Sequence, residues 1–307
     1  MSIVDTIAED LPLSPEAIRA LANSSRQNYR RFAVDGRVLF APKPELKLIQ
    51  CWISDLVRAS SGRLPSFVTA YEPGSSIVEN ASIHQRDAHH LYLDIRSFFP
   101  SCKSARVFRV FSCLSIQEKA GAAPRELAVD EAMLLTDLST MGGGLAVGSP
   151  SSPAIANRIL LPADAEIKSQ LGDACRYSRY SDDICISSDR WIDKARVVQM
   201  VDIVLSQYGF RLNAQKTRCV GRGDARRITG VTVTPEGDLS IGARRKGQLK
   251  SELYRYLRYG EGEPERILGL IYFCKSIDPR YTARVLSKYS TYSTGGDVMS
   301  ALVGLPG

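Results

Sequence analysis

The segment Cys175-Arg-Tyr-Ser-Arg-Tyr-Ser-Asp-Asp-Ile-Cys-Ile-Ser187 constrains this chain more than any other. Its flanks are rich in β-branched and aromatic residues, and Ser181-Asp182-Asp183 interrupts them, which reads as strand, tight turn, strand. Neighbouring ionised carboxylates repel, so a turn that holds two of them needs a compensating cation. Mg²⁺ meets that need because it takes carboxylate oxygens together with the phosphates of a substrate. An ordinary acidic hairpin turn has the same local sequence. The segments around it decide between the two.

Upstream, Leu91-Tyr-Leu-Asp-Ile-Arg-Ser-Phe-Phe-Pro100 is a short apolar strand that delivers Asp94 at its end, followed at once by Phe98 and Phe99. Gly148-Ser-Pro-Ser-Ser-Pro153 then leads into a helix that carries Asn157. Downstream lie Gly209-Phe-Arg-Leu-Asn-Ala-Gln-Lys216 and Ile228-Thr-Gly-Val-Thr-Val-Thr234. In this order, over about residues 37–234, the blocks resemble the palm of reverse transcriptases. Asn80-Ala-Ser-Ile-His84 and Ile228-Thr-Gly230 further resemble the Asn-Ala-x-x-His and Val-Thr-Gly elements of the bacterial retron branch, the second with one apolar swap.

The resemblance implies an α+β right-hand polymerase fold, with fingers, a palm of antiparallel sheet plus helices, and a helical thumb. Residues 1–90 would form the N-terminal region and fingers, 91–241 the palm with a finger-side insert at about 103–145, and 242–307 the thumb. It also implies that Asp94, Asp182 and Asp183 are catalytic and hold two Mg²⁺ ions, Asp183 being the one a turn can point away. Arg37 falls where the family places an arginine on the incoming triphosphate. Phe99, five after Asp94, matches the aromatic plate that excludes a ribonucleotide's 2′-hydroxyl. Gly148 would let template and nucleotide approach the backbone, and Lys216 matches a lysine near the triphosphate, a general acid for departing pyrophosphate.

Each residue also has a plainer reading. Arg37 can be a solvated arginine beside a turn, Phe99 a core aromatic, Gly148 a loop-to-helix cap and Lys216 a surface lysine. Two departures from the family stand out. Val34-Asp35-Gly36 occupies the place of its lysines, leaving Arg30 or Arg31 as the second triphosphate contact, and Ala146-Val147 replaces its Pro-Gln.

In chain order, Ser14-Pro15-Glu16 opens a helix to about 28. Strands around Asp35-Gly36 form a hairpin. Leu46, Ile49, Ile53, Leu56 and Val57 at helical spacing mark a buried-face helix over 44–60. A helix over 75–86 puts Asn80 and His84 four apart on one side, either to grip an RNA backbone or 2′-hydroxyl or as a hydrogen-bonded pair tying fingers to palm. Further helices are expected at about 104–114, 124–140, 153–171 and 191–208, with Gly142-Gly-Gly144 a flexible connection and Asn157 facing the active site or solvent. Residues 229–234, the turn at 235–238 and residues 239–241 read as a second hairpin.

From Gly242 the composition changes. Arg244, Arg245, Lys246, Lys250 and Arg255 interleave with tyrosines on one predicted helix, which suits phosphate neutralisation and base stacking. With helices at about 264–275 and 279–289 this makes a thumb, followed by a loose tail. The same charges also suit a solvated face. Asn80, His84, Ile228, Thr229, Gly230 and the basic helix are the candidates for RNA or DNA contact.

A net charge of +7 over 307 residues favours a polyanionic partner. Seven scattered cysteines without a Cys-x-x-Cys pair argue against a zinc site and for reduced thiols in a cytosol. No signal peptide or membrane span is evident, so the expectation is a cytoplasmic protein. The retron resemblance implies a cognate noncoding RNA, priming from a guanosine 2′-hydroxyl, a branched RNA–DNA product made from dNTPs, and a separate effector protein in anti-phage defence. Another bacterial reverse transcriptase, of group II intron, diversity-generating or phage-defence type, is the nearer alternative. An RNA-binding scaffold that sequesters an effector is the farther one. A nucleotide cyclase fails, because the small-residue block and thumb would have no role.

Overall fold

The computed structural model describes residues 2–23, 25–34, 37–116, 123–292 and 297–303, without the side chains of residues 25, 34, 37 and 38. Helix α1 (Ile3–Asp10) opens with a capping box, Ser2 and Asp5 exchanging side-chain and backbone hydrogen bonds. Helix α2 (Pro15–Asn23) starts at Ser14-Pro15 as its sequence predicts, but ends at Asn23; a separate 3₁₀ turn covers Ser25–Asn28. Strands β1 (Tyr29–Val34) and β2 (Arg37–Pro42) pair antiparallel, with Tyr29 opposite Pro42 and Val34 opposite Arg37. Their Asp35-Gly36 connection lies outside the described residues. Helix α3 (Pro44–Ser60) buries Leu46, Ile49, Ile53 and Val57 to 1% exposure or less, each contributing about 1.5–3 kcal/mol.

Helix α4 (Ile77–His84) is capped by the Ser76 hydroxyl and leads to strand β3 (His89–Asp94), the single turn α5 (Phe98–Ser101) and α6 (Ser104–Ser112). The expected helix from Pro124 forms later. Residues Ser115–Ile116 (β4) pair with Arg125–Glu126 (β5), and α7 runs Val129–Ser139. Glu131 fixes that start: its carboxylate accepts the amides of Ala128 and Ile3, at 2.9 and 2.7 Å, and two bonds from Arg125. The glycine run is a tight hairpin, not a flexible connection. Thr140–Met141 (β6) and Gly144–Leu145 (β7) flank Gly142 and Gly143, both at positive φ (62° and 84°), as a two-residue hairpin turn requires. At Gly144 a Cβ would lie 2.7 Å from the Pro100 carbonyl oxygen, so no side chain fits.

Helix α8 (Ser152–Leu171) precedes strands β8 (Arg176–Tyr180) and β9 (Asp183–Ser188). Helix α9 (Lys194–Gln207) begins after Asp193 rather than at Trp191, because the Asp193 carboxylate accepts the Arg196 amide. Strand β10 (Arg218–Val220) follows, then β11 (Arg226–Ile228), β12 (Val231–Val233) and β13 (Leu239–Ser240). Thr229 and Gly230 are the turn between β11 and β12, not the start of a strand. Helices α10 (Gly242–Tyr259), α11 (Pro264–Ile277) and α12 (Pro279–Tyr289) complete the expected helical region. The tail is partly ordered, as a 3₁₀ turn at Ser290–Tyr292 and α13 (Val298–Val303), which buries Val298 and Leu302.

The main sheet has the order β10-β3-β9-β8, and β11-β12-β13 form a second sheet. Two compact units emerge. One comprises Met1–Gly74, Tyr92–Ile184 and Asp193–Arg218, the other Ser75–Leu91, Cys185–Ile192 and Cys219–Gly307. Among the described residues no helix is long and apolar enough to cross a membrane.

Candidate active site

Asp94, Asp182, Asp183 and Lys216 all belong to the first unit. Strands β8 and β9 are joined by Ser181 and Asp182 alone, a connection short enough only for antiparallel neighbours. Ser181 is held at φ 61°, in the left-handed region that side chains other than glycine's seldom occupy. Three bonds fix this turn. The Ser181 carbonyl accepts from Arg179 Nη1 (3.3 Å), the Ser181 hydroxyl from Tyr71 Oη (3.1 Å), and the Asp182 carbonyl from the Ile95 amide (2.9 Å).

Asp94 ends β3, 5% exposed, with its own carbonyl accepting the Asn213 amide at 2.8 Å. Its carboxylate Oδ2 lies 2.5 Å from Lys216 Nζ. That hydrogen bond raises the lysine's pKa, and Asp182 and Asp183 add to the effect. Asp183 reaches solvent at the start of β9, yet burial, then the charges of Asp182 and Asp94, push its carboxyl up to about 6 against Lys216 and Arg218. Three carboxylates therefore share one site with too little positive charge. Among the described residues no three acidic, histidine or cysteine side chains already converge into a metal cage. The donor set nevertheless fits a hard divalent cation: it is all carboxylate oxygen, it carries uncompensated negative charge, and it already draws an ammonium onto Asp94.

Beneath the turn the charges are matched. Arg179, fully buried, makes three bonds of 2.7–3.0 Å to the two oxygens of Asp164 on α8, and one of 3.0 Å to Asn157 Oδ1. Burial opposes the arginine's charge, but Asp164 more than restores it, so its pKa rises. Tyr177 Oη donates to Asp164 at 2.6 Å, and Asn157 Nδ2 to the Ala70 carbonyl at 2.9 Å. Asn157 thus faces neither solvent nor an open site. Arg179 and Asp164 carried no signal in the sequence, since one sits on a strand and the other on a helix.

Phe99 is half-buried, its ring 5.0 Å from Phe98 and 6.5 Å from Tyr71. Tyr71, which sequence reasoning did not single out, has φ 66°, is 40% exposed, and lies 6.4 Å from Tyr180. Gly148 has φ 96°, and a Cβ there would come within 3.1 Å of the Phe40 carbonyl, so both conformation and space disfavour a side chain. Ala146 is buried, and Val147 presents an apolar side chain at 40% exposure. Arg37 opens β2, and its side chain is not among those described.

The remaining candidates lie in the second unit. Asn80 and His84 are 2% and 0% exposed. Asn80 Nδ2 donates to Thr229 Oγ1 (3.2 Å), pinning α4 to the Thr229-Gly230 turn, where φ is 44° and 90°. His84 Nδ1 lies 2.6 Å from Ser187 Oγ, which in turn donates to Asp87 at 2.5 Å. Ile228 is buried. These bonds run inward and hold the unit together. On α10, Arg244 is exposed, Arg245 stacks on Phe273 (4.3 Å), and Lys246 and Lys250 approach Tyr281 (4.6 and 5.9 Å). Arg255 forks onto Glu261 at 2.8 and 3.1 Å. Much of the basic face thus also knits α10 to its neighbours.

The sequence profile of the reverse transcriptase (RNA-dependent DNA polymerase) family matches residues 33–236. This chain belongs to the reverse transcriptase family. It is similar to the retron Ec86 reverse transcriptase of Escherichia coli, 25% identical over 91% of this chain and 85% of that protein. The retron Ec83 reverse transcriptase of Escherichia coli is 28% identical, over 85% of this chain and 87% of its own length. The retron Mx65 reverse transcriptase of Myxococcus xanthus is 30% identical, over 84% of this chain and 64% of its own. Among solved structures, telomerase from Candida albicans with a fragment of telomeric RNA superposes with a TM-score of 0.51 at 11% identity, covering 90% of this chain and 58% of that one; it speaks to the α+β fold alone. This reverse transcriptase is of the retron type, an RNA-directed DNA polymerase, and enzymes of its family generally work with divalent metal ions.

Proposed function

We propose that this reverse transcriptase copies part of a structured noncoding RNA into DNA, starting from a guanosine 2′-hydroxyl within that RNA and leaving a branched RNA–DNA product. The observation that carries the reading is the shared site of Asp94, Asp182 and Asp183 with Lys216 on Asp94. Asp94 and Asp182, with Asp183, would hold two Mg²⁺ ions. When bound, such ions lower the pKa of an attacking hydroxyl and neutralise a leaving pyrophosphate.

The chain's own residues do the rest. The three bonds on the Ser181-Asp182 turn hold the carboxylates in register, which is where positioning contributes to phosphoryl transfer. Lys216 carries its proton at Nζ and gives it to the departing pyrophosphate. Phe99, braced by Phe98 and Tyr71, closes the space a ribonucleotide's 2′-hydroxyl needs. Arg37 contacts the triphosphate, and Gly148 leaves room for nucleotide and template. Residues 1–90 act as N-terminal region and fingers, 91–241 as palm and 242–307 as thumb. Arg244 is the foremost phosphate contact of α10, joined by Arg245, Lys246, Lys250 and Arg255. The product serves a cytoplasmic anti-phage system in which a separate effector protein is the partner.

Purifying the protein from its native operon and digesting the bound nucleic acid separately with RNase and DNase tests this reading. The expected result is a short DNA that survives RNase, keeps a branched RNA remnant and is missing from Asp182→Asn. RNA alone from both forms would replace it with the scaffold reading. Clean protein that extends an added primer would mean a different priming mode.

A further inference from the structure

The first unit also contains a cavity of about 460 Å³, within the ~300–1,000 Å³ of small-molecule sites. None of its lining residues belongs to the carboxylate cluster or to the aromatic group beside it. Helix α6 supplies Arg106 and Arg109, three apart and so on one face, and α8 supplies Arg158. No carboxylate lines the cavity among the described residues, and none of the three arginines makes a salt bridge there. Among the described residues, the Arg106 and Arg158 side chains bond only backbone carbonyls, of Gln207 at 3.4 Å and Gly62 at 2.8 Å.

Burial lowers the pKa of Arg158, Glu72 partly offsetting it and Arg58 adding to it. Guanidinium forks match phosphate oxygens in pairs. The lining also includes apolar Leu114, Ile159 and Pro162, which suits a sugar or base better than a bare ion.

We propose that this cavity binds a nucleotide through its phosphate, as a second site separate from the polymerase centre. The nucleotide is either free or a residue of an RNA strand; both present the same phosphate beside a planar base. The proposal does not depend on the priming reading above.

Cys113 lines the cavity and is an exposed free thiol, while Cys51, also exposed, lies on α3 outside its lining. The full-length protein, stripped of nucleic acid, would be alkylated with iodoacetamide and both sites followed by mass spectrometry. The probes are AMP, adenosine and a short single-stranded RNA. At ligand near ten times its Kd, Cys113 should react about tenfold more slowly, with Cys51 unchanged. Protection by AMP assigns a free nucleotide, and protection by RNA alone assigns a strand-borne one. Protection should persist in Asp182→Asn and vanish in Arg109→Glu, an exposed position whose change spares packing. No protection by either phosphate probe, equal protection by adenosine, or protection that survives Arg109→Glu would overturn the proposal.

Discussion

The two sides of the Ser181-Asp182 turn handle charge in opposite ways. Beneath it, the Arg179 guanidinium meets Asp164, Asn157 and a backbone carbonyl, with every partner buried. Above it, three carboxylates have only the exposed Lys216 and the charge of Arg218 to offset them, and one carboxyl is pushed up to about 6. The matched side gives rigidity, because breaking it strands a charge in a low dielectric. On the proposed function the unmatched side would supply the chemistry, its deficit being filled by the cations that come with a triphosphate. A polymerase palm needs both, and here one dipeptide turn separates them.

The contrast can be broken most sharply at Asp182. Asp182→Asn should lower DNA synthesis by about a thousandfold or more, the loss of several kcal/mol of transition-state stabilisation. Its melting temperature should hold or rise, since a repulsion with Asp183 is removed. Synthesis near wild type in a primer-extension assay would sink the assignment. On the other side, Arg179→Met should cost about 3–5 kcal/mol of folding stability by leaving Asp164 buried and unpaired. Denaturant unfolding reads this directly, and an unchanged midpoint would mean the network is not a rigid base.

Asn80→Ala tests whether the second unit's buried polar groups are structural. A loss of about 1–3 kcal/mol with unchanged RNA affinity is expected; the reverse pattern would return Asn80 to the RNA. The smallest effect should come from Tyr71→Phe. Removing its bond to Ser181 costs about 1 kcal/mol, a several-fold fall in kcat with KM for dNTP little changed. A rise in KM alone would instead make Tyr71 a nucleotide contact.

The upper side of this turn was legible in the sequence and the lower side was not. Asp94, Asp182 and Asp183 stand at or beside strand ends, as the local pattern predicts, but only the resemblance to reverse transcriptases grouped the three as one site. Arg179 and Asp164 meet only because α8 packs against β8, and nothing in either segment announces the other. Asn80 and His84 were rightly set four apart on a helix, but spacing cannot say whether that side faces water or protein. The glycine run misled for a related reason. Gly142 and Gly143 look like slack until Thr140–Met141 and Gly144–Leu145 are seen to pair across them. Tyr71 in the left-handed region has no sequence signature at all.

The Lys216–Asp94 pair bears on how this protein behaves at the bench. A small zinc domain loses its structure to a chelator because the ion's binding free energy supplies its folding free energy. In this chain the buried carboxylate keeps a resident ammonium, and the turn carrying the other two is tied down by bonds to Arg179, Tyr71 and Ile95. EDTA should therefore silence the enzyme reversibly, with its melting curve unmoved.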